Sequence, residues 1–450
     1  MRFPGKIPFT LLVSIALLAS GCGGGSTSGV GTPTPTPTPT PSTVNEWTWM
    51  SGSNTAGAKG VYGTLGIASA NNVPGAQAGA VGWTDKSGNL WLYGEDALWE
   101  FTPSTMEWTW VSGSQTGGPA VYGTQGIPAS TNSPGNRSGA VSWVDSSGDL
   151  WLFGGDAFND LWEFTSTNKE WTWVSGSNST GASVFSTLGV ASTSNTPGER
   201  SNSVSWTDAS GNFWLFGGYG IDSTGTSGFL NDLWKFSPTA KTWTWVSGSN
   251  KANAVGIYGT QGIASTNNFP GGRSGSVSWI DNSGNLWLFG GSNPIFMSSL
   301  NDLWEFNPIA KTWTWVSGSN TPGVIVGVYG TQGVAAANNV PGSRCVAASW
   351  IDSSGNLWLF GGQGYGSNGT VNGDLNDLWE YSPATKEWTW MDGSNTGTQQ
   401  GPSGVYGTLG VPAATNVPGG RDSAVSWTDS NGNFWLFGGD SFNDLWRYQP

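Results

Sequence analysis

Thirty tryptophans fall at five equivalent positions of a unit that occurs six times, and none is left over. Trp108, Trp110, Trp143, Trp151 and Trp162 make one set; Trp313, Trp315, Trp350, Trp358 and Trp379 make another. Side chains repeated in fixed register serve the stacking of repeats before they serve a ligand, because one repeat cannot bury its apolar face alone. The tryptophans are therefore expected in the core.

From residue 341 one unit reads PGSRCVAASWIDSSGNLWLFGG and then, after a variable stretch, NDLWEYSPATKEWTWMDGSN. Four strands are predicted in it. Strand a (CVAASWI) is rich in small residues, strand b (NLWLF) ends in a glycine pair, strand c is DLWEY or DLWEF, and strand d is EWTWV-like. The a–b link is a tight hairpin with Gly where positive φ is needed. The c–d link centres on Pro103, Pro238, Pro308 or Pro383, where no ladder bond is lost. Strands b and d are apolar on both faces: Leu286-Trp287-Leu288-Phe289 shows no alternation, so both faces need cover. Sheets stacked face to face around an axis supply it, with small residues at the crowded centre and aromatics further out. The predicted fold is all-β, a six-bladed β-propeller.

The glycine pair followed by a spacer, Phe306-Asn307-Pro308 and Trp313 resembles the kelch repeat, and the pattern recurs at Phe101…Trp108, Phe236…Trp243 and Tyr381…Trp388. The resemblance covers residues 44–450 and implies a kelch-like propeller similar to the central domain of galactose oxidase. The ends suggest how the ring closes. Residues 44–54 supply a lone strand d (Trp47-Thr48-Trp49-Met50), and the chain finishes on a lone strand c, Asp444 to Tyr448. The sixth blade should take its outer strand from the N-terminus, which removes an exposed edge.

The first blade departs from the others. It has Gln77 for Arg137, Arg200, Arg273, Arg344 and Arg421; Glu95 for the second glycine; and Ala97 for Asp160, Asp232, Asp302, Asp377 and Asp444. The Arg and the Asp vanish together, so they are expected to pair, within a blade or across neighbours, as bidentate contacts.

Residues 1–43 stand apart. Arg2 and Lys6, the apolar run Phe9–Leu18 and Ala19-Ser20-Gly21-Cys22 read as a signal peptide over 1–21, too short for a mature membrane helix. The last four residues resemble a bacterial lipobox, which implies lipidation of Cys22. Residues 22–43 are then the lipidated Cys and a Gly/Ser and Thr-Pro linker, of which 23–43 make a spacer of roughly 60 Å if mostly extended at ~3.1 Å per residue. The expected location is the cell envelope, lipid-anchored at the outer membrane or surface, or secreted if the lipobox goes unused.

Composition excludes much chemistry. Without Arg2 and Lys6 the chain carries 14 Lys and Arg against 29 Asp and Glu, a balance of −15. That disfavours nucleic acid and anionic lipid as partners. Cys345 is left as a lone thiol, read as a small strand residue. Histidine is absent, which removes His-dependent triads and metal sites. It also removes the copper chemistry that the galactose oxidase resemblance would imply. A sialidase box does not fit Asp208-Ala209-Ser210-Gly211-Asn212-Phe213-Trp214, which is one residue too long and lies in a different hairpin. No catalytic residue, metal site or cofactor is expected.

Features confined to some blades are the better functional candidates. The b–c loops are short in blades 1, 2 and 6 (Asp156-Ala157-Phe158 in blade 2) and long in three consecutive blades: Tyr219–Phe229, Ser292–Ser299 and Gln363–Asp374. Long loops with exposed aromatics are where binding sits. Tyr219, Phe229, Phe296 and Tyr365 are the expected contacts for a glycan or an extracellular protein, in a monomer that binds without catalysis. Arg200, Arg273, Arg344 and Arg421 remain open as paired structure or as an axial anion site. Such a site would suit an enzyme resembling the kelch-type sialic acid mutarotases. A purely structural envelope protein is the third reading. The repeated Tyr62, Tyr122, Tyr258, Tyr329 and Tyr406, with Phe185 in blade 3, are either packing or a pocket repeated in each blade. The hairpin aspartates (Asp85, Asp145, Asp208, Asp281, Asp352, Asp429) read as turn residues rather than calcium ligands.

Overall fold

In the computed structural model, residues 44–293, 299–369, 372–399 and 401–450 are described. They form six antiparallel sheets, each built on strands in the order a-b-c-d. Blade 1 is Val81–Thr84, Leu90–Gly94, Ala97–Thr102 and Glu107–Gly113; blade 4 is Val277–Ile280, Leu286–Ser292, Ser299–Asn307 and Thr312–Ser317. Blade 6 takes Glu46–Ser51 as its strand d, paired antiparallel with Leu445–Gln449 in the register Trp47↔Tyr448 and Trp49↔Trp446. The N-terminal strand thus closes the ring as the sequence predicts. The leader, the spacer and Cys22 lie outside the described residues.

The five tryptophan positions follow from the register. The Trp of strand a faces the Trp of strand b (Trp83↔Trp91), and the Trp of strand c faces the second Trp of strand d (Trp304↔Trp315). Six apolar clusters each join two neighbouring blades. Strand b serves two of them: Leu90 and Leu92 pack towards blade 6, Trp91 and Tyr93 towards blade 2. That two-sided burial is why strand b shows no polar alternation.

Near the axis the small residues of strand a let the blades bond to one another. Trp83 Nε1 donates to the Trp151 carbonyl at 3.0 Å, and Trp427 Nε1 to the Trp91 carbonyl at 3.0 Å. Ser142 Oγ donates to the Gly82 carbonyl at 3.0 Å, and Ser426 Oγ to that of Ser349 at 3.0 Å.

Strand d departs from the prediction of two apolar, covered faces. Its first Trp is buried, but Trp49, Trp110, Trp173, Trp245, Trp315 and Trp390 are only half-buried. The reason is its position at the outer edge, where only short loop segments pair with it, such as Ala191–Ser192 in blade 3. The long d–a loop supplies partial cover instead. Gly66 and Ser69 amides bond the Trp110 and Trp108 carbonyls at 2.8 and 3.2 Å, and Asn72 Nδ2 bonds the Trp108 carbonyl at 3.0 Å. The loop Tyr packs edge-on against the half-buried Trp, as Tyr62 does on Trp110 with centroids 5.3 Å apart. The Tyr-Gly-Thr loops therefore blunt the outer edges of the sheets.

Candidate functional site

The arginines sit at the start of strand a and the aspartates at the start of strand c, and the pairing closes within each blade. In blade 4, Arg273 Nη1 meets Asp302 Oδ1 at 2.8 Å and Nη2 meets Oδ2 at 2.7 Å. Nη1 also donates to the Gly290 carbonyl at 3.0 Å, and Nε to that of Gly271 at 3.2 Å. Asp302 Oδ2 further accepts Tyr258 Oη and Trp304 Nε1, each at 2.7 Å. The glycine pair is thus present for a reason beyond its turn: its first carbonyl binds the guanidinium. Blades 2, 5 and 6 repeat the four-residue cluster, and blade 3 has it with Phe185 in place of the tyrosine. In the short-loop blades a phenylalanine lies over the arginine, Phe158 on Arg137 at 4.6 Å and Phe442 on Arg421 at 4.7 Å.

Arg200, Arg273, Arg344 and Arg421 are at most 1 % exposed. Burial pulls the guanidinium pKa of Arg273, Arg344 and Arg421 down, but the paired aspartates outweigh it and hold these groups above the ordinary value. These arginines present no donor to either face, so of the two alternatives left open the geometry is that of paired structure. Burial and the adjacent aspartate likewise push the phenols of Tyr122, Tyr258, Tyr329 and Tyr406 up.

Among the described residues, no acid or base lines the axial mouths. One, of about 460 Å³, is lined by Gly82, Ser142, Ser205, Ser278, Ser349 and Ser426 with the Trp and Thr, Val or Ile that follow them. The opposite mouth, about 230 Å³, is lined by Ala, Val, Ser and Gly of strand a.

At the rim, the blade 3 hairpin is long and ordered by pairing: Phe213–Ile221 runs against Ser227–Ser237, with Tyr219 opposite Phe229. Their rings meet edge-on at 5.3 Å, and Tyr219 is 47 % exposed while Phe229 is half-buried. Asp222 anchors the tip by accepting the Thr224, Thr226 and Ala252 amides and the Thr224 hydroxyl. Burial pushes this carboxyl up, but those bonds overcome it and hold it at about 2. The backbone of Phe229 is tied to Asn253, on the loop leading to blade 4. Tyr365, half-buried, follows Leu357–Gly364 in blade 5, and its amide bonds the Ser343 carbonyl at 3.0 Å. Among the described residues no ring contact joins Tyr365 to the Tyr219–Phe229 pair. Phe296 lies outside the described residues.

The hairpin aspartates are turn residues: Asp281 Oδ1 accepts the Ser283 and Asn285 amides, and its Oδ2 accepts Trp287 Nε1. Cys345 is buried, its thiol pKa raised by burial.

Blade 1 holds what the sequence reading missed. With Gln77, Glu95 and Ala97 in place, the cluster is gone. Tyr93 and Asp96 form a different link, to Ser133 and the Gly135 carbonyl on the loop leading to blade 2. The turn Glu95-Asp96 is short, and both residues adopt positive φ, 53° and 64°. A cavity of about 530 Å³ opens there, lined by Lys59, Tyr62, Glu95, Gln115 and Thr116 and, from blade 6, Asp440 and Ser441. The same place in blade 4, under Tyr258 and Arg273, encloses about 110 Å³. Asp440 lies beside Asp422 and Asp374, with their carboxylate oxygens within 4.8 Å of one another; a second such group is Asp145, Asp149 and Glu163. Burial, then Asp422 and Asp374, push the Asp440 carboxyl up to about 6. The joint loss of Arg, Gly and Asp was the available signal, but it shows what is missing and not the space left behind.

A family model described as the KLHDC2/KLHL20/DRC7 Kelch-repeats domain matches residues 121–323, which contain blades 2 to 4. The chain is a six-bladed β-propeller, and its residues 121–323 are similar to kelch repeats. Among solved structures, that of YjhT is similar to this propeller, with 14 % identity and a TM-score of 0.48, covering 83 % of this chain and 94 % of that one. No curated protein sequence matches this chain.

Proposed function

We propose that this propeller is a non-catalytic binding module of the cell envelope, and that it takes a glycan or an extracellular protein on the rim of blades 3 to 5. One observation carries the reading: the b and c strands of blade 3 run to Ile221 and from Ser227, well past the ends of Phe153 and Leu161 in blade 2, and carry exposed Tyr219 on a rigid hairpin. An aromatic held by cross-strand pairing and by the Asp222 tip presents a stacking surface at low entropic cost. The lack of acids and bases in the axial mouths speaks against turnover there. Lipidation at Cys22 would tether the propeller to the membrane through residues 23–43.

The test is a glycan array probed with residues 44–450, followed by a variant in which residues 219–229 are replaced by the short blade 2 turn. The expected result is a defined hit that disappears in the variant. A hit that survives the replacement removes the rim from the proposal, and a blank array turns the search to envelope proteins. For the anchor, Cys22→Ala is expected to release the protein from membranes; unchanged membrane retention would contradict lipidation at Cys22.

A further inference from the structure

We propose that the cavity between blades 6 and 1 is a binding site for a small amine-bearing polyol, an amino sugar being the simplest example. The site is distinct from the rim of blades 3 to 5 and does not depend on it.

Size and shape suit a small molecule. The volume of about 530 Å³ lies within the range of small-molecule pockets. Gly57, Ala58, Gly60, Gly75 and Ala76 line part of it, so backbone amides and carbonyls stand close to any occupant. In blade 4 the equivalent space, lined in part by Arg273, Asn293 and Leu300, is only about 110 Å³.

Blade 1 also releases hydrogen-bonding groups that other blades commit. In blades 2, 4, 5 and 6 the loop tyrosine spends its hydroxyl on the buried aspartate. Blade 1 has Ala97 there, so the Tyr62 hydroxyl is left for the cavity, beside the Gln115 amide and the Thr116 and Ser441 hydroxyls. A ligand with several hydroxyls matches that set.

Glu95 and Asp440 both line the cavity, and Asp422 and Asp374 stand behind Asp440. The opposing charges are Lys59, exposed on a flexible stem, and Arg421, which is committed to Asp444. The balance favours a cationic group on the ligand. Glu95 also holds positive φ where the other blades have glycine, a conformation unfavourable for an ordinary L-residue. A carboxylate kept at a position the backbone would give to glycine is the kind of strain found at binding sites.

The pH dependence follows from Asp440. Its carboxyl is held near 6, so it is charged at pH 7.0 and largely neutral at pH 5.0. The facing groups are Asp422, Asp374 and Arg421, with Glu95 and Lys59 across the cavity. An amine-bearing ligand is therefore bound more tightly at the higher pH.

The test is calorimetric titration of residues 44–450 with glucosamine and galactosamine, and with N-acetylglucosamine as the uncharged control, at pH 7.0 and 5.0. At pH 7.0 at least one amino sugar should bind saturably and about tenfold tighter than the control, an ordinary difference for one charge-assisted contact. At pH 5.0 that preference should shrink several-fold. Glu95→Gln and Asp440→Asn should each weaken the amino sugar by about tenfold without changing the melting temperature by more than a few degrees. Glu95→Gly, which installs the residue of the other blades, should weaken it too while leaving the fold intact. Shortening the blade 3 hairpin should leave binding unchanged. Equal affinity for N-acetylglucosamine, unchanged affinity in Glu95→Gln, or no saturable binding of either amino sugar would overturn the proposal.

Discussion

Blade 4 and blade 1 share the same strand order and the same facing tryptophans, yet their upper ends differ. Blade 4 closes over Arg273–Asp302, with Tyr258 and Trp304 on the same carboxylate. Blade 1 keeps the equivalent Tyr62 and Trp99 but has buried Gln77 and Ala97 in place of the ion pair, and a cavity opens beside Tyr62 and Glu95. The comparison separates two jobs. The apolar seams between blades hold the ring and are present in both. The buried pair fills and fixes one end of a blade, and the ring tolerates its absence once. A buried ion pair is weak evidence for net stability, because desolvation offsets the attraction, but half of one is costly.

The largest effect is expected where the seams themselves are broken. Deleting residues 44–54 removes strand d of blade 6, including fully buried Trp47. The melting temperature should fall by ~10 °C or more, since one large buried aromatic alone is worth about 3–5 kcal/mol. An unchanged melting temperature would mean that the ring does not need its clasp, and blade 1 would then be no special case.

Next comes the pair. Asp302→Ala leaves Arg273 buried without its partner and should cost about 3–5 kcal/mol in urea unfolding. Gln77→Ala in blade 1 removes the residue that stands where Arg273 does and should cost no more than about 1 kcal/mol. Equal costs would erase the distinction between the two blades.

A smaller effect should be the same in both. Asn268 and Asn72 each clamp the edge-capping loop to strand d through two carbonyls. Either Asn→Ala change should cost about 1–3 kcal/mol, the penalty for leaving such groups unpaired. A cost confined to blade 4 would mean that the blade 1 loop is already loose.

The smallest is a pH effect. The folded pKa of Asp440 is raised, mainly by burial, above its ordinary value near 4. The folded chain therefore holds that proton more tightly, and its contribution to stability is present below about pH 4 and lost as pH rises through about 6. Melting curves across this window should show the decline in the native protein and a shallower one in Asp440→Asn. Parallel curves would show that the carboxyl titrates normally.

Much of the ring was legible because it is periodic. The tryptophan positions, the two-sided strand b and the closing strand all follow from spacing. The Arg–Asp pairing was legible from a single joint exception. The edge-capping role of the Tyr-Gly-Thr loops was not, because Asn72 reaches a carbonyl on Trp108 and nothing local in the sequence shows that bond. The half-exposure of Trp110 escaped for a related reason: an outer strand reads like an inner one when both are rich in tryptophan. At the rim, Tyr219 and Phe229 were legible as loop aromatics, but their pairing required the hairpin register. The blade 1 cavity lies beside a two-residue turn and is lined by residues far apart in the chain, and a sequence records the residues present rather than the space between them.

The contrast between blades is tested most directly by exchange of the tryptophan indole protons, followed by NMR on residues 44–450 with the strand c signals assigned by Trp→Phe changes. Trp162, Trp234, Trp304, Trp379 and Trp446 each donate to a buried carboxylate at 2.7–2.8 Å. Trp99 stands near Ala97, which offers no acceptor. Five slowly exchanging strand c indoles and one fast one, Trp99, is the predicted result. Trp99 protected as strongly as the other five would mean that blade 1 closes like its neighbours, and would contradict both the comparison and the open cavity.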